Sequence, residues 1–263
     1  MKKKSRIDQY IQQEYNLGTL EDVRRIIMAG KVLNNNHPVY KPSEIIEIKK
    51  ADIRFKNIKP FASRGGIKLK HALSVFDVTI KDKTLADIGS STGGFTDCAL
   101  KNGASRVYAV DVGTNQLDYR LRTDDRVIVM ERTNFKNTTK DSFEPVPAVL
   151  TIDVSFTSII PILRHIVTLF SHEYTVIALI KPQFESYLEE RGAGGILTSL
   201  ETHEKVVMRV LDECAALGLY AWALDRSPIR GSKGNIEYLL HLEHGDKAQN
   251  TLGEKDIEPI IHG

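Results

Sequence analysis

The chain has 263 residues, 36 Lys and Arg against 34 Asp and Glu, a formal net charge of +2 and two cysteines. Its 41% apolar content suits a chain folded around a core and excludes a disordered or low-complexity polypeptide. Cys98 and Cys214 fall on separate predicted helices and read as reduced core thiols, which excludes a disulfide framework and points to the cytoplasm.

Basic residues crowd the first sixty positions, from Met1-Lys2-Lys3-Lys4 to Arg24, Arg25, Lys31, Lys41, Lys49, Lys50, Arg54, Lys56 and Lys59, an asymmetry suited to a polyanion. No apolar run follows Lys2 to Lys4, so a secretion signal is not expected. Residues 6–14 (Ile7, Tyr10, Ile11) and 20–29 (Leu20, Val23, Ile26, Ile27) have helical apolar spacing, and Gly30 stops the second helix. Residues 31–33 and 45–48 read as two short strands joined as a hairpin through Asn34-Asn35-Asn36-His37-Pro38. Residues 1–52 thus form a small α+β module, and 53–62, charged and ending near a proline, read as a linker.

Ser63-Arg64-Gly65-Gly66-Ile67-Lys68-Leu69 opens a helix with Leu69, Ala72 and Leu73 on its buried side and Lys68 just before that stripe. In Leu85-Ala86-Asp87-Ile88-Gly89-Ser90-Ser91-Thr92-Gly93-Gly94-Phe95-Thr96, an apolar strand feeds a glycine-rich turn that opens a helix. The G-x-x-x-G-G spacing matches neither the pyrophosphate-seating nor the phosphate-cradling glycine motif. A cofactor with a ribose but no phosphate, such as S-adenosylmethionine, fits better. A second strand, Val107-Tyr108-Ala109-Val110, ends at Asp111-Val112, where the carboxylate can accept both hydroxyls of a ribose. The expected cofactor set is Asp87, Gly89, Ser90, Ser91, Gly93, Gly94, Phe95, Asp111, Val112 and Asp153.

Strands are predicted near 84–88, 106–110, 127–130, 147–152, 174–180, 219–224 and 237–242, with helices between them. The longest apolar stretch, 158–170, is broken by Arg164 and His165, is too short to span a bilayer and reads as a buried helix. Such alternation implies a Rossmann-like α/β domain over 63–245 with a doubly wound, mainly parallel sheet, and ligands beyond the carboxyl ends of its strands. Asp153 and Lys181 follow two such strands, and Glu237 begins the last. Charges beside buried strands are stable when paired, so these three and Lys68 are expected to meet in one cleft. The eight histidines share no metal-ligand spacing, and no metal is expected. Residues 246–263 mix charge with small residues and read as a loosely packed tail.

Two resemblances sharpen this reading. Arg6-Ile7-Asp8, Arg25-Ile26-Ile27-x-x-Gly30-Lys31-Val32-Leu33-Asn34, Lys41-Pro42 and residues 45–48 resemble the RNA-binding fold named after ribosomal small-subunit protein S-four. That fold often carries Ser-Arg where this chain has Thr19-Leu20, so affinity leans on Arg24, Arg25 and Lys31. With Ser63 to Leu69, Asp87 to Asp97, Asp153-Val154-Ser155-Phe156, Lys181-Pro182-Gln183-Phe184-Glu185 and Ser227-Pro228-Ile229-x-Gly231-x-x-Gly234-Asn235-x-Glu237, nearly the whole chain resembles the TlyA family, often labelled hemolysin A. Thr92 in the glycine loop, where FtsJ enzymes commonly have proline, is the TlyA form.

The resemblance implies an RNA-binding domain followed by an FtsJ-like, S-adenosylmethionine-dependent 2′-O-ribose methyltransferase. It implies a catalytic Lys68, Asp153, Lys181, Glu237 tetrad, ribosomal RNA or a ribosomal subunit as partner, and a cytidine as target. Asn134 stands in for the acidic adenine contact of FtsJ enzymes, and the RNA contacts expected are Arg6, Arg24, Arg25, Lys31, Lys41 and Arg64.

A ribose hydroxyl is a poor nucleophile and a sulfonium methyl is already activated, so the enzyme must align three atoms and accept one proton. Lys181 is the candidate base. Burial and a second ammonium at Lys68 favour its neutral form, and the carboxylates of Asp153 and Glu237 favour the charged one. Two rival readings remain at this stage: an RNA-binding or ribosome-assembly factor without catalysis, and a membrane-lytic protein, against which no stable membrane association is expected.

Overall fold

The computed structural model describes residues 4–15, 17, 19–56, 60–190, 196–231, 234–245 and 252–263. Lys2, Lys3, Lys59 and positions 246–251 of the expected tail lie outside the described residues. The chain divides into two compact units, Met1–Pro60 and Phe61–Gly263.

The first unit runs β1 (Lys4–Arg6), α1 (Ile7–Tyr15), α2 (Leu20–Met28), β2 (Val32–Asn34), β3 (His37–Val39), β4 (Ile45–Glu47) and β5 (Ile53–Phe55). Thr19 and Asp22 start α2 with reciprocal side-chain-to-backbone bonds, a capping box that satisfies two otherwise unpaired N–H groups. Ile7, Ile11, Val23, Ile27, Val32, Val39, Ile46 and Ile53 form the core.

The expected hairpin is rearranged. Val32–Asn34 pairs with His37–Val39, and Ile45–Glu47 pairs instead with Lys4–Arg6. The tight turn is Asn35-Asn36, both residues at positive φ (51° and 66°), the geometry a two-residue hairpin needs and asparagine tolerates. Residues 53–55, expected in the linker, are β5, whose Ile53 lies opposite Asn34 and is buried.

The second unit runs α3 (Gly65–Val75), β6 (Thr84–Ile88), α4 (Gly94–Lys101), β7 (Arg106–Val110), α5 (Tyr119–Arg122), β8 (Val127–Met130), β9 (Val149–Ile152), α6 (Ile160–Leu169), β10 (Tyr174–Ile180), α7 (Pro182–Glu185), α8 (Leu200–Ala216), β11 (Tyr220–Arg226), β12 (Tyr238–His244) and α9 (Glu254–His262). Its seven-stranded sheet has the order β11-β12-β10-β9-β6-β7-β8. The five strands from β10 to β8 are parallel, and β12 is antiparallel to both neighbours, so the doubly wound, mainly parallel α/β expectation holds.

Side chains alternate across this sheet into two cores, as a period of two requires when both faces are covered. From β10, Val176, Ala178 and Ile180 face the core under α6, α8 and α9, while Ile177 and Leu179 face the one under α3 and α4. The 254–262 stretch corrects the expectation of a loose tail. Ile257 and Ile261, one helical turn apart, put α9 onto the first of these cores with neither side chain exposed.

Candidate active site

β6, β9 and β10 run parallel and end at one rim of the sheet, while β12, running the other way, begins there. Chain direction alone therefore delivers Asp153, Lys181 and Glu237 to one place, from two strand ends and one strand start. Lys68 joins them from α3. That helix is drawn in by α4: a Cβ added to Gly94 would lie 2.9 Å from the Gly66 nitrogen, and the Asp97 carboxylate accepts the Ala62 N–H at 2.8 Å.

Lys68 Nζ lies 2.6 Å from Glu237 Oε2 and 3.9 Å from Asp153 Oδ2, and Lys181 Nζ lies 2.7 Å from Asp153 Oδ1 while donating to Ser155 Oγ at 3.0 Å. Lys68, Lys181 and Glu237 are 8%, 7% and 3% exposed. Two lysines and two carboxylates thus meet as an ion-paired quartet, three of them buried and the fourth, Asp153, shared between the lysines and part-exposed at its side chain. Buried ions are tolerated in such a paired, hydrogen-bonded arrangement.

Asp153 and Ser155 also line a cavity of about 500 Å³ beyond the ends of β6 and β7. Of the expected cofactor residues, Gly89, Ser91, Asp111, Val112, Asn134 and Asp153 line it. Gly89 has φ +86°, and a Cβ there would lie 2.8 Å from the Asp153 carbonyl oxygen, so the loop can pass this rim with glycine alone. Asp111 accepts the Ser91 N–H at 2.8 Å and the Gly113 N–H at 2.7 Å. A carboxylate has about four acceptor positions, so two remain for a ligand. Asn134 caps a short helical turn by accepting the Lys136 N–H at 3.1 Å.

The other expected cofactor residues lie behind the wall. Asp87 is fully buried, accepting hydroxyl bonds from Thr96 (2.6 Å) and Thr151 (3.1 Å), and burial pushes its carboxyl up to about 6. Ser90 is buried with its N–H on the Val110 carbonyl, and Phe95 lies in the core against Gly65. Gly93 packs on Leu117 and Leu121, and Gly94 on α3. These residues hold the loop and helix in place.

Residue-by-residue reading missed Gln116, Thr133, Lys136, Ser155, Phe156 and Thr157, all of which line the cavity. Ser155 and Phe156 carried a signal, since they complete the Asp153-Val154-Ser155-Phe156 block. The block 181–185 closes on the segment 153–159 at four points. Lys181 meets Asp153 and Ser155, the Phe184 and Phe156 ring centroids are 5.3 Å apart, and Glu185 accepts the Ile159 N–H at 2.8 Å at the start of α6. Burial raises the Glu185 carboxyl above its ordinary range.

Of the expected RNA contacts, Arg6 and Arg24 converge on the fully buried carboxylate of Asp8, at 2.8 Å and 3.1 Å. Arg25 makes longer ion pairs to Glu21 and Asp22, both at 3.9 Å. Lys31 and Lys41 are exposed, and Arg64, in the second unit, reaches the Arg230 carbonyl at 3.4 Å. Among the described residues no group of three or more His, Cys, Asp or Glu could hold a metal ion, and no helix is long and apolar enough to cross a membrane.

A parallel α/β sheet with a glycine-loop cavity over its strand ends and a buried lysine–carboxylate quartet beside it defines a group-transfer enzyme domain. The chain matches the FtsJ-like methyltransferase family over residues 61–244 and belongs to it. It is 45% identical to the candidate rRNA methyltransferase YqxC of Bacillus subtilis, over 98% of this chain and 93% of that one. It is 31% identical to the 16S/23S rRNA (cytidine-2'-O)-methyltransferase TlyA of Mycobacterium tuberculosis, over 100% of this chain and 97% of that one. Among solved structures, a candidate hemolysin from Streptococcus thermophilus superposes with a TM-score of 0.75 at 41% identity, covering 98% of this chain and 94% of that one.

Proposed function

We propose that this methyltransferase uses S-adenosylmethionine to methylate the 2′-hydroxyl of a cytidine in ribosomal RNA. The carrying observation is the buried Lys68–Asp153–Lys181–Glu237 quartet sharing Asp153 with the glycine-loop cavity. The base and the RNA class are suggested by the tuberculosis relative's name, and a cytoplasmic site of action follows from that substrate.

The cavity residues fit the cofactor. Asp111 keeps two acceptor positions for a pair of ribose hydroxyls, and Gly89 lets the loop backbone pass close against the Asp153 carbonyl at the cavity's edge. When bound, S-adenosylmethionine supplies a methyl group already activated on a sulfonium. The protein's task is then to hold the ribose oxygen in line and take its proton.

Lys181 is the base, and it must give up its own proton before it can accept one from the hydroxyl. While Lys181 is neutral, Lys68 still neutralises one of the two carboxylates, and the quartet carries one net negative charge. Taking the ribose hydroxyl proton onto Lys181 Nζ would restore neutrality as the oxygen gains its methyl group. Asp153 and Ser155 hold the amine, and Lys68 favours charge developing on the ribose oxygen. Phosphates are met by the basic first unit and by Arg64, with Asp8 orienting Arg6 and Arg24 and with Arg25, Lys31 and Lys41 alongside.

The test is transfer of tritiated methyl from S-adenosylmethionine to separated ribosomal subunits and to naked ribosomal RNA, with Lys181→Ala as control. Counts in RNA that vanish in the variant, mapped to a cytidine 2′-oxygen, are expected. Cofactor binding without transfer to any substrate would instead favour an RNA-binding factor without catalysis. Methylation at another base would overturn the cytidine.

A further inference from the structure

Tyr40 is 64% exposed, yet its ring is held in place. Gly30, at φ +65°, ends α2, and a Cβ added to it would lie 2.5 Å from Tyr40 Cε1. The ring edge therefore occupies the space that a side chain at position 30 would fill.

Two exposed lysines are its neighbours. Val32 pairs with Val39 in the β2–β3 ladder, so the next positions outward, Lys31 and Tyr40, face each other across the hairpin. Lys41 follows Tyr40, and the carbonyl of Pro42 beyond it accepts the Asp8 N–H at 3.2 Å, at the residue whose carboxylate gathers Arg6 and Arg24. A pinned aromatic ring, two residues before the proline whose carbonyl holds the Asp8 backbone, thus has one exposed lysine across the hairpin and another next in the chain.

We propose that Tyr40 is a stacking platform for one unpaired base of the RNA, with Lys31 and Lys41 meeting the phosphates on either side of it. The assignment rests on the RNA substrate proposed above and adds a contact that is independent of the catalytic quartet. Single-stranded RNA is bound in this way elsewhere, because every base has a π-face and its backbone is anionic. Holding the ring against Gly30 reduces the ordering that binding would otherwise require. The local charge favours a nucleic acid over an apolar protein surface.

The experiment measures binding of the full chain to naked, in vitro transcribed small- and large-subunit ribosomal RNA, and to the intact subunits, across a salt series. Wild type is compared with Tyr40→Ala, Tyr40→Phe and Lys41→Ala, and methyl transfer is measured in parallel. Tyr40→Ala is expected to weaken binding roughly tenfold with an unchanged slope of log affinity on log salt, since a stacked ring displaces no counterions. Tyr40→Phe should bind as the wild type does, and Lys41→Ala should flatten the slope by about 0.7.

Unchanged affinity in Tyr40→Ala, with a wild type that binds and methylates RNA, overturns the stacking site alone. Equal losses in Tyr40→Phe and Tyr40→Ala overturn it in favour of a hydroxyl contact. A defect seen with intact subunits and absent with naked RNA overturns it in favour of a ribosomal protein. A wild type that binds no ribosomal RNA overturns both this site and the substrate reading.

Discussion

Replacing Glu237 by leucine would remove the carboxylate 2.6 Å from Lys68 and leave that ammonium facing Asp153 at 3.9 Å, which Lys181 already engages at 2.7 Å. Breaking a buried ion pair from one side destabilises by about 3–5 kcal/mol. The residual Asp153 contact puts this variant at about 3 kcal/mol, and Lys68→Met, which strands Glu237, at a similar value. The double variant removes both charges and leaves the Lys181–Asp153 pair neutral, so its loss should be about 1 kcal/mol. At roughly 2–4 °C per kcal/mol for a domain of this size, each single variant melts about 6–12 °C below wild type and the double variant about 2–4 °C below. Methyl transfer should be at background in all three. Thermal unfolding together with tritium transfer reads both quantities. Additive stability losses would refute the coupling of the two residues, and a double variant that still transfers methyl would refute their place in catalysis.

Asp87 gives a pH test. Its carboxyl, near 3.8 when unfolded and about 6 when folded, holds a proton more tightly in the native state, so ionisation opposes folding. The stability it contributes is fully present below pH ~4 and is lost as pH rises through 6, a loss of about 3 kcal/mol for roughly two pKa units. Urea unfolding of Asp87→Asn from pH 4 to pH 7 should show the variant gaining on wild type by about that amount, and parallel curves would contradict the assignment. For Glu185, Glu185→Ala should cut kcat by tenfold or more by freeing the Ile159 N–H and loosening segment 153–159. Glu185→Gln, which keeps an acceptor oxygen, should recover most of the rate. Equal losses in both would mean that charge, not the hydrogen bond, carries the effect.

The second unit was the legible part. Parallel strands covered on both faces read as continuous apolar runs, and all seven residues of Tyr174–Ile180 are indeed buried. The alternation of strand and helix then fixes where strand ends gather, which is why Asp153, Lys181 and Glu237 could be placed in one cleft. Three-residue strands carry no such pattern. The partner of Ile45–Glu47 is Lys4–Arg6, a basic tripeptide with no apolar period, whereas the asparagine pair that closes the real hairpin stood in plain view. The helix at 254–262 was hidden by Pro259, although Ile257 and Ile261 kept the spacing of a buried face. Within the glycine loop, identity could mark the motif but not its sides. Asp87 and Phe95 turn inward to hold what Gly89 and Asp111 present.

β12 lies between β10 and β11, although β11 precedes it in the chain. β11 therefore has no seat on the sheet until its successor exists, and it joins with β12 or after it. Glu237 stands at the head of β12. During synthesis the cavity walls from 88 to 162 are made well before Glu237, so the growing chain holds the cavity lining before the residue that completes the quartet. Completion of the quartet is in this sense timed by topology, arriving with the last strand of the sheet.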